Sequence, residues 1–411
     1  MPERLDFDHD CVIAGGGLVG ASLACALAAN GLRVALIEAV PLPSDSQPSY
    51  DDRGLALALS SQRVLQGLGV WDEVAAEATP MMRVHVSDRG HFGFTRLDAE
   101  SAGLPALGYV VVARRLGQAL APRINSLNLL EFICPARVEA VDASEDAATV
   151  KIKLASGEER SLRAPLVVAA DGGDSGLRDQ LGIPAKRHDY HQTAVVANAT
   201  PERHHEFTAY ERFTDSGPLA LLPLPEQRCA VVWVVRTPDA GELLELGDEA
   251  FCARLTERIG GRLGKILNVG RRRSYPLKLV DAGHCTAPRC VIMGNAAHTM
   301  HPNGAQGLNL GLREVAALAE VVLDAHRAGE DIGAAAVLNQ YVDWRASDHR
   351  KVVRFSDGLT QIFYNDFGPL VVARNMAMLA VDLLPGLKRN LARRATGLSG
   401  HQPRLVRGLA L

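Results

Sequence analysis

A turn rich in glycine, asparagine and proline stands directly before a strongly periodic helix within residues 293–320. Apolar residues recur at helical spacing after this turn, at Leu312, Val315, Ala319 and Val322. The segment from Gly304 to Gly307 therefore delivers the unpaired backbone N–H groups of a helix start to whatever lies in front of it. The sequence predicts an anion-receptive site here.

A second turn of this kind lies near the N-terminus. Cys11–Ala14 has the pattern of a buried parallel strand, residues 15–20 read GGGLVG, and residues 21–30 are typical of a helix. Spacing G-x-G-x-x-G between a strand and a helix predicts a dinucleotide site, in which Gly15 allows the turn, Gly17 lets the backbone approach a pyrophosphate and Gly20 brings helix and strand together.

Glu38 closes the next predicted strand, eighteen positions after Gly20. A carboxylate at this place accepts hydrogen bonds from ribose hydroxyls and disfavours a 2′-phosphate. The nucleotide at this turn is therefore predicted to be FAD or NAD rather than NADP. A second G-x-G-x-x-G unit for a nicotinamide cofactor is absent from the sequence.

A third segment narrows the class of protein. Residues 166–170 form another buried-strand run, which ends in Asp171-Gly172. Together with the first glycine turn and the late Gly294-Asn295, which Pro302 and Gln306-Gly307 follow, this order of motifs resembles the flavoprotein aromatic hydroxylases, the single-component FAD monooxygenases. The resemblance covers residues from about 8 to about 340.

Within that class the chain is similar to the hydroxylases of ubiquinone biosynthesis, and most of all to the 2-octaprenyl-6-methoxyphenol hydroxylases among them. The supporting segments are residues 52–57, 84–94, 211–223 and 273–277. Asparagine at position 295, where many aromatic hydroxylases have aspartate, fits the narrower group.

The resemblance implies FAD as the cofactor, NAD(P)H as a transient reductant, and O₂ activation as a C4a-hydroperoxide that hydroxylates the ring of a polyprenylated phenol. It implies a flavin-ring environment of Arg53, Pro302, Gln306 and Gly307. Cofactor-binding positions are then Gly15, Gly17, Gly20, Glu38, Arg53, Arg114, Asp171, Gly172, Gly294, Asn295, Gly304, Gly307, Leu308 and Asn309. No side chain is assigned as an essential acid or base.

One departure from the family pattern lies in the late turn. The usual Pro-x-x-Gly-Gln-Gly is here Pro302-Asn303-Gly304-Ala305-Gln306-Gly307, with the glycine one place earlier. Alanine resists a positive φ that glycine accepts freely. The sequence therefore predicts a local backbone that differs from the family's at Ala305.

Composition agrees with an enzyme of two or more lobes. A chain of 411 residues exceeds one small core, and a net charge of −3 argues against a nucleic-acid partner. The seven cysteines lack C-x-x-C pairs and are expected to be reduced, with Cys11 and Cys25 in the core.

No metal site is expected from the histidines near the late turn and in the middle of the chain, which are His188, His191, His204, His205, His298 and His301. Without a recognisable signal peptide or long apolar run, a cytoplasmic location is expected.

The predicted fold class is α/β, with a Rossmann-like FAD-binding lobe interleaved with a β-sheet substrate lobe and followed by a C-terminal helical region. The FAD-binding domain is assigned to residues 1–80, 105–185 and 275–340. The substrate domain is assigned to residues 81–104 and 186–274, and the helical region to residues 341–411.

The C-terminal region combines apolar residues over 355–379 with a basic end from Lys388 to Arg407. One hypothesis is that this region contacts membrane lipid, peripheral to the inner membrane, or a partner in a biosynthetic complex. The alternative is an ordinary helix with a solvated basic end. The sequence also leaves open whether the protein forms a homo-oligomer. Alternative functions are an FAD-dependent prenyl reductase or halogenase on the same fold, or a scaffold that retains FAD.

Overall fold

The computed structural model describes residues 6–41 and 51–411. The strands in chain order are β1 Cys11–Ala14, β2 Val34–Ile37, β3 Gly54–Ala58, β4 Thr79–Met81, β5 Arg83–Asp88, β6 Phe94–Asp98, β7 Gly108–Val112, β8 Leu130–Ile133, β9 Ala136–Ala143, β10 Ala148–Leu154, β11 Glu159–Ala164, β12 Leu166–Ala169, β13 Ala185–Pro201, β14 Thr208–Thr214, β15 Gly217–Pro223, β16 Cys229–Arg236, β17 Ile266–Val269, β18 Arg273–Ala282, β19 Thr286–Ala287, β20 Cys290–Ile292 and β21 His298–Thr299. The α-helices are α1 Leu18–Ala28, α2 Leu59–Gly67, α3 Trp71–Val74, α4 Ala113–Asn125, α5 Gly176–Gln180, α6 Thr237–Glu245, α7 Asp248–Ile259, α8 Gln306–Arg327, α9 Ala335–Phe363, α10 Gly368–Leu383 and α11 Pro385–Ala395.

A six-stranded sheet has the order β19, β20, β12, β1, β2, β8. β1 runs parallel to both β12 and β2, so that Ala14 lies beside Ala169 and Ile37. Every residue of these three strands is buried, because helices α1, α4 and α8 contribute to the core on one side and a small sheet covers the other. Burial on both faces explains why each strand is a continuous apolar run.

The small covering sheet has the order β11, β10, β9. Its inward residues Val150, Ile152 and Leu162 share one core cluster with Val12 and Ala35 of the parallel sheet. The connection from β1 through α1 to β2 is the βαβ unit that the glycine spacing predicted.

A second large sheet has the order β21, β18, β13, β16, β15, β14, β5, β6, with β17 also paired to β13. Its pairs are antiparallel apart from β14 and β5, which are parallel. On one face, Trp233 packs with Phe251 of α7 in a second core. The opposite face lines a cavity.

The strands of this second sheet come from three stretches of the chain, which are β5–β6, β13–β18 and β21, and the chain returns to the first sheet at β19 and β20 before β21. This interleaving confirms the predicted fold class. β18 lies in the second sheet along its whole length to Ala282, beyond the predicted limit at residue 274. The domain limits themselves stay a prediction. A third sheet has the order β3, β7, β4. In the chain, its strands lie on either side of β5 and β6 of the second sheet.

The C-terminal helices pack across both lobes. α9 begins at Ala335, earlier than the helical region predicted from residue 341, and packs along α8. α10 packs on β6, where the Thr95 hydroxyl donates to the Met378 carbonyl over 2.8 Å and Arg96 bonds Asp382 over 2.7 Å. Pro385 starts α11, whose axis turns 96° from that of α10. Leu405 and Val406, near the end of the chain, are buried in the same core as the parallel sheet.

No single helix in the described ranges is long and apolar enough to cross a membrane, although the bent pair of α10 and α11 meets the length and composition criteria when taken together.

Candidate active site

The N-terminal glycine turn is closely packed against the strand beside it. Gly15 has φ +104°, and a Cβ on it would lie 2.3 Å from the Ala170 carbonyl oxygen. A Cβ on Gly20 would lie 2.0 Å from the Gly15 carbonyl oxygen. Only glycine fits either place without displacing backbone, as expected for a turn that brings α1 close to a bound pyrophosphate.

Glu38 lies where the sequence predicted it, immediately after β2. Its carboxylate accepts hydrogen bonds from the Gly16 N–H over 2.6 Å and the Val40 N–H over 2.8 Å. Gly17 is the N-cap of α1, and no side-chain hydrogen bond caps that helix in the described part of the chain. The start of α1 therefore keeps its positive dipole end and its N–H donors for an anion.

The turns at Gly172 and Gly294 are brought together by a buried arginine. Arg178 has no exposed surface, and its Nη1 donates to the Gly173 carbonyl over 3.1 Å and to the Ala296 carbonyl over 3.0 Å. Asp171 lies two residues after the end of β12 and accepts the Leu177 N–H over 3.3 Å. Asn295 is exposed on the Gly294 turn.

Val19 joins the early and late parts of this site. A Cβ on Gly294 would lie 3.2 Å from Val19, and one on Gly311 of α8 would lie 2.8 Å from it. The glycine turns that the sequence singled out therefore meet at the carboxyl ends of β1, β12 and β20. That edge of a parallel sheet is where ligands bind in open α/β folds.

The late turn leads into α8, which begins at Gln306 without a side-chain cap in the described structure. The first N–H groups of α8 have no acceptor within the helix. Asn309 is 2% exposed, and its side chain makes four hydrogen bonds, to Ala58, Ser61, Ala56 and Ala305. This side chain fixes the turn against β3 and α2, so a cofactor contact by Asn309 would use its backbone.

Ala305 adopts the left-handed conformation, with φ +52° and ψ +40°, directly after Gly304 at φ +64°. Ala305 thus accepts the positive φ that alanine was expected to resist, and the predicted difference from the family's backbone stays a prediction. The hydrogen bond from the Asn309 side chain to the Ala305 carbonyl holds the turn in place. A left-handed alanine costs about 1 kcal/mol relative to glycine.

Replacing Ala305 by glycine is expected to raise the free energy of unfolding by about 1 kcal/mol, because the strain at positive φ disappears. Urea denaturation at saturating FAD measures the change. Ala328→Gly is the matched control at the other end of α8, where φ is −77° and glycine should lower stability by about 0.5–1 kcal/mol. An equal decrease in the free energy of unfolding in both variants would contradict strain at Ala305.

Arg53 lies in a small polar cluster with Asp51 and Tyr275, near the late turn. Its Nε donates to Asp51 Oδ1 over 2.8 Å, and the Tyr275 hydroxyl donates to Asp51 Oδ2 over 2.6 Å. The guanidinium also stacks over the Tyr275 ring at 4.7 Å. Burial opposes ionisation of Asp51, but these hydrogen bonds outweigh it and lower its pKa below the ordinary value. Arg53 is thus an oriented cation rather than a solvated loop residue.

Arg114 lies in the first turn of α4, and its Nε bonds Asp52 over 3.1 Å. It lines a polar cleft beside the Arg53 cluster, together with Arg271, Arg273 and Ser274. The cleft and a second, mainly apolar cavity share Asp52, Arg271, Arg273 and Tyr275. A basic entrance therefore leads to the side of the late turn.

The apolar cavity has a volume of about 660 Å³ and a mainly apolar lining. Its floor is the second sheet, whose cavity-facing residues follow the strand period of two, as in Pro218, Ala220 and Leu222. Its roof is formed by residues of the C-terminal helices, which include Phe355, Leu359, Phe363, Met378 and Val381. Its inner end is the late turn, and it contains all the predicted flavin-ring residues, Arg53, Pro302, Gln306 and Gly307.

Two acidic side chains that the sequence did not single out occupy central positions. Glu314 of α8 is fully buried and accepts the Gly294 N–H over 3.0 Å and bonds His298 over 2.9 Å. Glu211 of β14 lines the cavity and accepts the Gly304 N–H over 3.4 Å. The feature of the sequence that could have indicated Glu211 is its place in the alternating run TAYERFT, where it is an acidic residue on the face that lines the cavity.

The histidines have structural neighbours. His301 is fully buried and bonds Gln192 over 3.1 Å, and His205 bonds the Leu224 carbonyl over 3.0 Å. His188 and His204 make ring contacts with Tyr190 and His205. Within residues 6–41 and 51–411, no group of three or more metal-ligating side chains is close enough to hold an ion.

These features fit FAD. A dinucleotide needs uncapped N–H donors for its pyrophosphate and glycines where the backbone must come close, and the starts of α1 and α8 with the Gly15 turn provide both. Bound there, FAD would supply the redox chemistry. The positive end of α8 would favour negative charge on the part of the cofactor that faces it.

Comparison with known proteins agrees with this geometry. Residues 8–356 match the family model described as an FAD binding domain. Ubiquinone hydroxylase UbiL of Rhodospirillum rubrum is 39% identical over 98% of this chain and 93% of its own length. The 3-demethoxyubiquinol 3-hydroxylase of Escherichia coli is 32% identical over 95% of this chain and 98% of its own. The crystal structure of p-nitrophenol 4-monooxygenase PnpA from Pseudomonas putida DLL-E4 superposes with a TM-score of 0.79 at 20% identity, covering 96% of this chain and 98% of that one.

The fold and the site define a flavoprotein monooxygenase that uses FAD with NAD(P)H as reductant. The resemblance read from the sequence is confirmed at this level. More particularly, the chain belongs to the FAD-binding-domain family and, within it, to the group of the ubiquinone hydroxylases. The finer likeness to the 2-octaprenyl-6-methoxyphenol hydroxylases stays a prediction.

Proposed function

We propose that this enzyme hydroxylates the aromatic ring of a polyprenylated phenol in ubiquinone biosynthesis, with O₂ as the second substrate. The observation that carries the proposal is the cavity of about 660 Å³, which is polar at the late turn and apolar along the rest of its length. A phenol head group suits the polar end, and an isoprenoid chain suits the apolar wall. The names of the sequence relatives point to the same pathway.

The arrangement of groups around the late turn supports the predicted site roles. The start of α8 would hold the pyrimidine side of the flavin ring, and Arg53, fixed by Asp51 and Tyr275, would lie beside that ring. The glycine turns and Glu38 would hold the dinucleotide part, with Asp171 and Asn295 toward the ribityl and pyrophosphate groups. NAD(P)H would approach transiently rather than through a second nucleotide fold.

A halogenase is the less favoured alternative. Trp71 packs with Tyr109 in the first lobe, Trp233 packs with Phe251 on the far face of the sheet, and Trp344 contacts His401. None of these three tryptophans lines the cavity. A prenyl reductase and an FAD-retaining scaffold are distinguished from the hydroxylase by product analysis.

The test begins with the visible spectrum of the purified protein and identification of the chromophore released on denaturation. The holoenzyme is then supplied with NAD(P)H, O₂ and a prenylated phenol, and the products are analysed by mass spectrometry. One added oxygen atom per NAD(P)H consumed supports hydroxylation. Saturation of a prenyl double bond without ring oxygen would identify a reductase, and bound FAD without NAD(P)H oxidation would indicate a scaffold.

We further propose that the C-terminal helices place this enzyme at a lipid surface. Their exposed large apolar residues are Phe367, Val372, Met376, Leu383, Leu384 and Leu387. Arg389, Arg393 and Arg394 are exposed on α11 next to them, a combination that suits an anionic bilayer. Phe355 and Ile362 are both exposed and part of the cavity lining, so the apolar surface is continuous with the cavity. A membrane-dissolved isoprenoid chain would enter there.

Replacing Leu383 and Leu384 together by glutamate is expected to weaken co-sedimentation with phosphatidylglycerol-containing liposomes by about 10-fold or more, because two apolar contacts become charges. Leu267→Glu is the matched control, since Leu267 is 54% exposed on β17, away from this surface. Substitution is preferable to truncation because Leu405 and Val406 belong to the core. Unchanged binding of the double variant would reject lipid docking and leave an ordinary surface or a protein partner.

A further inference from the structure

Glu211 is a carboxyl group in an otherwise apolar wall. β14 alternates along its length, so that Ala209, Glu211 and Phe213 share one face with the cavity. The neighbouring Arg212 points the other way and donates to the Ile259 carbonyl at the end of α7. Across the sheet, Glu211 lies beside Ala220 on one strand and Val86 on the other, and both line the cavity as well.

Few interactions offset the cost of placing the Glu211 carboxyl group in this apolar wall. Its one hydrogen bond in the described structure comes from the Gly304 N–H over 3.4 Å, and no cationic side chain of the described ranges forms an ion pair with it. Burial raises the pKa of Glu211 to about 7, with the Gly304 N–H opposing the rise. An uncompensated acid in an apolar wall costs stability and is a common feature of functional sites.

The contact with Gly304 fixes where this carboxyl lies. Gly304 belongs to the turn that precedes α8, and that turn forms the inner end of the cavity. Under the proposed function the flavin ring lies against the same turn, so a substrate ring held for hydroxylation would lie between Glu211 and the flavin.

We propose that Glu211 is the proton acceptor for the substrate's phenol group, a role that rests on the proposed function. Its carboxylate accepts a hydrogen bond from the phenol O–H. As the ring is hydroxylated, that O–H bond breaks and the proton moves to a Glu211 carboxylate oxygen. The electron pair of the bond stays on the phenol oxygen and increases electron density at the ortho and para ring carbons, which react with the electrophilic oxygen.

Other ionisable groups around the cavity do not take this role. Arg53, Asp51 and Tyr275 satisfy one another, and Arg374 of α10 is bonded to Asp88 over 2.8 Å. Arg273 at the start of β18 and Arg271 in the connection before it are permanent cations.

Two further groups approach from the turn and from α9. Burial lowers the pKa of His301 to about 4, so this imidazole is neutral at physiological pH. Burial together with the charge of Glu211 raises the pKa of Tyr364, at the end of α9, so that it stays protonated. Tyr210, next to Glu211 on β14, also has a pKa raised by burial. Glu211 is therefore the described group lining the cavity that titrates near neutrality.

A purely structural role for Glu211 makes a different prediction. If the side chain only held the turn through Gly304, then Glu211→Gln, which keeps an oxygen acceptor of the same shape, would behave like the original protein. Glu226→Gln is the matched control, because Glu226 is 80% exposed in the loop between β15 and β16.

The experiment uses the three holoenzymes, each checked for FAD content and for flavin reduction by NAD(P)H. We expect Glu211→Gln to keep both and to hydroxylate a short-chain prenylated phenol at least 100-fold more slowly, with NAD(P)H consumption diverted to hydrogen peroxide. The kcat/KM of the original protein should rise with pH up to about 7 and level off, whereas the variant should lose this acid limb.

A second readout needs no turnover. Binding of the same phenol to the oxidised holoenzyme, followed by the flavin difference spectrum, should strengthen about 5- to 10-fold between pH 6 and pH 8, because the carboxylate accepts a stronger hydrogen bond than the acid. Glu211→Gln should remove that pH dependence, and Glu226→Gln should retain it.

Hydroxylation by Glu211→Gln at the original rate and with the original pH profile would overturn the assignment. So would loss of FAD or of flavin reduction in that variant, since the residue would then act on the cofactor. If the original protein binds the phenol with the expected pH dependence but forms no hydroxylated product, the proposed function fails while the assignment of Glu211 as the phenol's partner stands.

Discussion

Replacing Gly15 by alanine is expected to abolish FAD retention, with a loss of affinity of at least 100-fold. The added Cβ would lie 2.3 Å from the Ala170 carbonyl oxygen and 2.7 Å from its carbon, both of them backbone atoms that cannot move aside alone. The turn would be pushed out of the position that offers the α1 N–H groups to the pyrophosphate. Equilibrium dialysis of FAD against the apoprotein measures the loss.

The control for this variant is Gly31→Ala. Gly31 has almost the same φ, at +103°, but a Cβ there meets no atom within 4 Å. It therefore isolates the cost of a positive φ from the steric conflict, and its FAD affinity should be unchanged. If Gly15→Ala retained FAD as well as Gly31→Ala does, the close packing of the turn would have no part in holding the cofactor.

Replacing Arg345 by alanine is expected to lower the free energy of unfolding by about 3–5 kcal/mol, which is the usual cost of leaving a buried charge without its partner. Arg345 of α9 is 5% exposed and its Nε bonds Glu314, which is fully buried. In the variant, His298 and the Gly294 N–H remain as the described hydrogen-bond partners of that carboxylate. Urea denaturation at saturating FAD gives the change, and Arg350→Ala, an exposed position on the same helix, should change it by less than about 0.5 kcal/mol.

The same pair predicts a pH dependence. Burial alone would raise the pKa of Glu314, but Arg345, His298 and the Gly294 N–H outweigh burial and lower it far below the ordinary value. A carboxyl whose folded pKa is depressed stabilises the protein above its unfolded pKa of about 4.3, and that stability is lost as the pH falls further toward the folded value. The difference in unfolding free energy between the original protein and Arg345→Ala should therefore be largest near neutral pH and shrink below about pH 4. A difference that stayed constant down to pH 3 would contradict the ion pair as its origin.

Local chemistry is what made the cofactor turns predictable. The predicted roles of Gly15, Gly20 and Glu38 rest on residue type and spacing within about thirty residues, and the structure places each next to the expected element. The buried runs at β1 and β12 were equally clear, because a strand covered on both faces has no polar positions. Cys11 of β1 and Cys25 of α1 are buried core residues, as expected.

The polar contacts that the sequence did not reveal join distant segments of the chain. Asn309 bonds Ala58, which is 251 residues away in the chain, and Arg374 bonds Asp88 at a separation of 286. Neither residue has a neighbour in sequence that would indicate such a partner. Glu211 differs, because strand alternation alone would have placed it on the face with Ala209 and Phe213, although nothing in the sequence shows that this face is a cavity wall.

Contact between Val19 of α1 and Gly294 and Gly311 of the late segments has a consequence for how the protein is made. On the ribosome, the first glycine turn is synthesised long before the late turn, and at 5–20 residues per second the interval is roughly 15–60 s. Throughout that time the nascent chain has half of a cofactor site. Because the predicted cofactor positions lie in both segments, we expect firm FAD binding only after α8 has left the exit tunnel.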